Sequence, residues 1–181
     1  MEILKLIALL LGTALIFVSC SASSAPTLSY QEKYFRAQIR WQTNDICATA
    51  FFTSVPHAPD SSGSDRTISL EFTSPESLEG LRISKRNGVI SADIGGICIE
   101  SPYAASLLAV SELFAIDATV KKSSVTTLDG KKLNLIEAVS SNGKNFTLFL
   151  FPESGLPRRI CAEMNGESCV LDVLSFEFND E

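Results

Sequence analysis

Phe146-Thr147-Leu148-Phe149-Leu150-Phe151 runs into the turn Pro152-Glu153-Ser154-Gly155-Leu156 and out again through Pro157-Arg158-Arg159-Ile160-Cys161-Ala162. The first run is short, rich in aromatic and aliphatic residues, and bounded by Asn142-Gly143 on one side and Pro152 on the other, which marks a strand. Apart from Thr147 it is apolar on both faces, the mark of a strand covered on both sides. The Pro-Glu-Ser-Gly turn returns the chain antiparallel beside it. Working outward, the same grammar repeats: Asp129-Gly130 and Asn165-Gly166 punctuate further runs at Val120–Thr127, Lys132–Val139 and Ser168–Phe178. Toward the other terminus, Phe35, Ala37, Ile39 and Trp41 alternate with Arg36, Gln38 and Arg40, the period of a half-buried strand. Further short strands follow at Ile46–Phe52, around Ile68–Phe72, at Leu81 and Ile83, at Val89–Ala92 and at Ile97–Ile99.

One segment breaks the period. In Pro102 to Ile116, Leu107, Leu108, Val110, Leu113 and Phe114 recur at helical spacing with no interior glycine, and Ala104, Ala105 and Ala109 keep the remaining surface small. A helix apolar round most of its circumference is a buried one. The expected fold is therefore α+β, mainly antiparallel β: a strongly curved sheet, or unclosed β-barrel, with one apolar helix covering its concave face.

The 181 residues suit a single domain, and 45% hydrophobic content supplies a core. Net charge of -6 argues against nucleic acid, whose binders present a basic face. A lone histidine, His57, leaves no room for a histidine-based triad or metal site. Glu71, Glu76 and Glu79 sit on a strand end and loop rather than in a defined cleft, and a Cys–His pair has no support from spacing. No enzyme, cofactor or metal is expected.

At the amino terminus, Leu6 to Val18 is an apolar run of thirteen residues behind Lys5. Spanning a bilayer takes about 20 residues, whereas signal-peptide cores run about 7–15. The following Phe17-Val18-Ser19-Cys20 resembles a bacterial lipobox, whose cysteine is diacylglyceryl-modified and becomes the new terminus. The alternative is ordinary cleavage after Ala22, with Cys20 discarded. The expected organisation is a signal peptide over 1–19, a Ser-rich tether over 20–33 and one domain over 34–181, exported and held by Cys20 on the outer face of a bacterial cell membrane. Four further cysteines permit three pairings. A three-residue loop Met164-Asn165-Gly166 would set Cys161 across from Cys169, and Cys47–Cys98 would be the second bridge; a two-residue Asn-Gly turn would instead pair position 162 with 169, and all four can equally be thiols packed as small apolar residues. Lys85-Arg86, Lys121-Lys122 and Lys131-Lys132 are basic pairs near turns that can meet anionic headgroups.

The stretch Leu148 to Ile160, with its polar turn ending in Gly155-Leu156-Pro157, resembles the strand–turn–strand signature of LolA-like proteins, the lipoprotein-carrier superfamily. Phe72-Thr73-Ser74-Pro75-Glu76-Ser77-Leu78-Glu79-Gly80-Leu81 is similar to a second element of that family, and Val173-Leu174-Ser175-Phe176-Glu177-Phe178 to its closing strand. The resemblance implies a concave apolar cavity under helical cover that holds acyl chains or apolar peptides. A lipidated cysteine departs from soluble carriers and is closer to the family's anchored members. The expected ligand lining is Phe72, Leu107, Leu108, Phe114, Phe149 and Phe151. The leading function is a monomeric, non-catalytic envelope lipoprotein binding a lipid, acyl chain or lipoprotein; its rival is a protein-interaction or envelope-sensor module with a closed core and no ligand.

Overall fold

The computed structural model describes residues 28–56, 66–101, 118–140, 143–164 and 166–179, together with Ala104, Leu108 and Phe114. Eleven strands make one sheet. In chain order they are β1 (Phe35–Gln42), β2 (Cys47–Pro56), β3 (Arg66–Ser74), β4 (Arg82–Arg86), β5 (Val89–Ile94), β6 (Ile97–Glu100), β7 (Thr119–Leu128), β8 (Lys131–Val139), β9 (Asn145–Leu150), β10 (Pro157–Met164) and β11 (Glu167–Phe178). The expected strands are all present. Every neighbouring pair is antiparallel.

The turns follow from their residues. Asn87 (φ 51°) with Gly88 (φ 78°) and Asp129 (φ 51°) with Gly130 (φ 73°) are left-handed pairs. Such pairs match the twist of the strands they join, and glycine or asparagine adopts them at least cost. Bulges at Gln38/Ile39, Thr49/Ala50, Val120/Lys122 and Pro157/Arg159 add local bends. The sheet is curved and does not close.

Strand order across the sheet is β6-β5-β4-β3-β2-β1-β11-β10-β9-β8-β7. Two meanders are thus joined at the middle by the first and last strands, with Phe35 opposite Phe178 and Gln42 opposite Val170. As a consequence β6 and β7, consecutive in the chain, lie on opposite edges. The connection from Ser101 to Ala118 therefore joins the two edges of the sheet.

Its described residues lie on the apolar side. Alternation in β1 buries Phe35, Ala37, Ile39 and Trp41. Their cross-strand partners Phe52, Ala50 and Ala48 on β2, Leu70 and Phe72 on β3, and Leu171 on β11 extend the same buried face. Ala104, Leu108 and Phe114, exposed by only 7%, 4% and 0%, belong to this same cluster. Leu108 has helical backbone. The rest of the expected helix, Leu107 included, lies outside the described residues.

Three expectations change. The core draws on Leu28 and Tyr30, inside the stretch read as tether, because a short 3-10 turn (Ser29–Glu32) folds Tyr30 into the sheet's open end. Arg66 holds that turn: its Nε donates to Ser54 Oγ at 2.9 Å, its Nη2 to the Lys33 carbonyl at 3.1 Å, and its Nη1 to the Gln31 carbonyl. Cys161–Cys169 is not a bridge. Met164 pairs with Glu167 and Ala162 with Cys169, so the loop is the two-residue Asn-Gly turn and Cys161 points to the opposite face. Cys47–Cys98 is not a bridge either: β2 and β6 are four strands apart, about 19 Å along the sheet at ~4.8 Å per strand, against the roughly 6 Å that a disulfide spans. All four thiols are free.

Phe52 is fully buried and stacks flat on Phe114 at 4.5 Å. Phe52→Ala should lower stability by about 3–5 kcal/mol, the usual cost of a large buried cavity. Urea unfolding checks this; the midpoint should fall with the slope unchanged.

Candidate ligand face

The inner face is richest in rings where the chain enters the domain. Phe35 stacks on Phe176 (4.8 Å, 19°) and tilts against Phe52 (5.8 Å) and Phe114 (5.5 Å). Tyr30 meets Phe35 and Phe176 edge-on, each at 5.9 Å. Offset and edge-to-face pairs of this kind add about 0.5–1.5 kcal/mol each beyond their burial. Into this nest comes the crossing connection, with Phe114 as its plug.

The plug also has a polar attachment. The Tyr30 hydroxyl donates to the Phe114 carbonyl at 2.8 Å, and Gln31 Nε2 reaches the same oxygen at 3.4 Å. Burial pushes the Tyr30 phenol far above its ordinary range, and the Gln31 side chain offsets this in part. The hydroxyl thus stays a donor at any physiological pH. At the other end of β1, Trp41 Nε1 donates to Cys169 Sγ at 3.1 Å. Burial raises the Cys169 thiol, countered partly by Trp41, and burial likewise raises Cys161. Both are held as neutral thiols, poor nucleophiles and poor metal ligands.

Of the residues expected to line a ligand site, Phe72, Leu108 and Phe114 come together in the inner core. Phe149 does not. Leu148 faces Ile160, which faces Leu171, all on the buried side, so Phe149 is turned to the outer surface. There it stands in a row formed by Arg40, Asp172, Arg159, Phe149 and Leu135 on five successive strands. Arg159 grips Asp172 with both arms, at 2.6 and 3.2 Å. That pair is structural: it satisfies the one carboxylate buried among the described residues.

Phe151 also leaves the core. Lys131 Nζ sits 5.9 Å from its ring, and the two residues line a groove of about 460 Å³ with Leu156, Arg158, Val173 and Phe176. The groove forms where β10 stops pairing with β11 at Arg159–Asp172 while β11 runs on beside β1. Arg158 closes part of the gap, donating to the Val173 carbonyl at 3.3 Å and lying 3.8 Å from both Asp129 and Asp172. Phe176 is shared: one side packs in the aromatic nest, the other lines the groove. The groove therefore opens beside the residues that hold the crossing connection.

Tyr30 is the residue of this face that sequence reading missed. An apolar pair at Leu28 and Tyr30, spaced two apart after a Ser-rich stretch, was the available signal. Among the described residues, no group of His, Cys, Asp and Glu is placed to hold a metal ion.

No family model matches the chain, and no curated protein matches it. Solved structures do. An uncharacterized conserved protein from Thermus thermophilus is 13% identical with a TM-score of 0.49, over 83% of this chain and 81% of that one. A LolA superfamily protein from Nitrosomonas europaea is 15% identical with a TM-score of 0.46, over 83% and 88%. A putative outer membrane lipoprotein-sorting protein domain from Vibrio parahaemolyticus is 9% identical with a TM-score of 0.46, over 84% and 89%.

Tyr30 also makes stability depend on alkali. In the unfolded chain its phenol ionises near 10.0, whereas in the fold it keeps its proton well beyond that. Its contribution is full below that pH and is lost above it, at about 1.4 kcal/mol per pH unit. Tyr30→Phe should remove this slope while costing about 1–3 kcal/mol at neutral pH, since the Phe114 carbonyl loses its hydroxyl donor. Denaturant titrations on either side of pH 10 measure both effects.

Proposed function

We propose that this protein is a non-catalytic, membrane-anchored lipoprotein of the cell envelope that binds an apolar ligand between the inner face of its sheet and the connection that crosses it. The ligand class is a lipid, an acyl chain or an acylated protein. One observation carries the proposal: the apolar face of an open sheet is covered in part by Ala104, Leu108 and Phe114 of the segment joining its edges, with Phe114 seated against Phe35 and Phe52. Lifting these residues exposes the apolar surface of the sheet beneath them. An acyl chain restores roughly the burial it displaces, at about 25 cal/mol per Å². The neighbouring groove, at about 460 Å³, is within the usual size of small-ligand sites and offers a way in beside Phe176.

The resemblance of residues 148–160 to LolA-like proteins supports the same reading. Lipid anchoring rests on Cys20, which lies outside the described residues, and places the protein extracytoplasmically. Among the described residues, the half-buried Cys161 and buried Cys169 are neutral thiols and Asp172 is bound to Arg159, which supports a non-catalytic reading. A second reading, a closed-core interaction module, is favoured by the complete burial of Phe114 and Tyr30.

Native mass spectrometry and lipid extraction of the full chain, purified in mild detergent, test the proposal. Co-purifying acyl material should be present, should fall in Leu108→Asp, and should exchange faster in Tyr30→Phe, whose cover is loosened. A chain that carries no acyl material in either wild type or Tyr30→Phe supports the closed-core reading instead. Mass analysis of the native amino terminus should show a diacylglyceryl group on Cys20.

A further inference from the structure

The sheet has two free edges, and they are built differently. β7 carries Lys121 and Lys122, a bulge at Val120/Lys122, and serines and threonines at half of its positions. Lysines and bulges are the ordinary protections against stray strand pairing. β6 has none of them. Its sequence is Ile97-Cys98-Ile99-Glu100, its pairing with β5 is regular, and all four residues are exposed. Ile97 is 69% exposed, Ile99 56%, and Ile94 on β5 53%. Among the described residues, nothing pairs with the outer edge of β6.

The register sorts these side chains. Ala92 faces Ile99 and Ile94 faces Ile97, continuing the inner face from Ile83. Cys98 faces Asp93 on the outer side, as an exposed free thiol. A short edge with an apolar flank, a central cysteine and neither lysine nor bulge is self-complementary.

We propose that β6 pairs antiparallel with β6 of a second copy, about a two-fold axis through Cys98, and that a Cys98–Cys98 disulfide locks the joined sheets. The axis sets Ile97 opposite Ile99 of the second copy, and Glu100 opposite Gly96 of the second copy, so no like charges meet. Residues directly opposite on antiparallel strands have Cα atoms about 4.5–5.5 Å apart, within the range a disulfide bridges. A four-residue edge covers well under the roughly 800 Å² per partner of a stable interface, so the non-covalent pair is weak and the thiol makes it permanent. The step exchanges two Cys98 thiols for one disulfide and reduces one molecule of a small disulfide oxidant to two thiols, which leave with the protons. This inference is independent of the ligand proposal and replaces the monomer expected from sequence.

Cys47 provides the control, because it is also exposed but sits on an interior strand. Full chain in detergent is treated with oxidised glutathione, then analysed on non-reducing gels and by mass spectrometry of linked peptides. The expected product is a dimer joined through Cys98. It should persist in Cys47→Ser, vanish in Cys98→Ser, and form about tenfold more slowly in Ile97→Lys/Ile99→Lys, whose charges oppose edge pairing. Circular dichroism verifies each fold, and Ile99→Thr replaces the double variant if that fails to fold. Linkage through Cys47 at a similar rate, an unchanged rate in the edge variants, or a monomer carrying only glutathione on Cys98 would overturn the proposal.

Discussion

Pairing of β1 with β11 is the constraint on which the rest of this molecule depends. It brings together residues near opposite ends of the chain, along the full length of β1. By placing the first and last strands at the centre, it sends β6 and β7 to the two edges. The connection between them places Ala104, Leu108 and Phe114 on the apolar face, where leaving surface open to water would cost about 25 cal/mol per Å². Contacts between distant parts of a chain form slowly, and this central pairing is the most distant of them.

The cover is asymmetric in its chemistry. Phe114 is held by the rings of Phe35 and Phe52, and its carbonyl is shared by Tyr30 and Gln31. Ring contacts are interchangeable with other apolar contacts, whereas a buried hydrogen-bond network is not. The outer face is organised oppositely, by the bidentate Arg159–Asp172 pair and by Arg36 lying 4.1 Å over the ring of Phe51. One side of the sheet is organised by packed rings, the other by charged pairs and a cation over a ring.

The two edges express the same economy. A strand edge exposes unpaired backbone donors and acceptors, and β7 is equipped to keep other strands away. β6 is short and apolar. Because its isoleucines lie on the inner face, joining two copies there would run the apolar faces of both sheets together. Ligand binding and assembly would then share a continuous surface without sharing residues at its centre.

Strands and turns were legible locally, because alternation has a period of two and Asn-Gly or Asp-Gly pairs carry their own backbone preference. The antiparallel class, the curved sheet and the buried character of Leu108 and Phe114 all follow from runs of fewer than twenty residues. What alternation cannot decide is which side of a strand is inside when both are apolar. Phe146 to Phe151 has that property, and only the register linking Leu148 to Ile160 and Leu171 turned Phe149 outward. The same one-residue ambiguity separated Cys161 from Cys169, since a two-residue and a three-residue loop differ by a single step that reverses every side chain. Tyr30 was beyond local reading for another reason: its partners, Phe114 and Phe176, are far away in the chain and reach it only once β1 and β11 have met. Short-range patterning thus determined the elements and their polarity, while long-range pairing decided their facing, their edges and what covers the core.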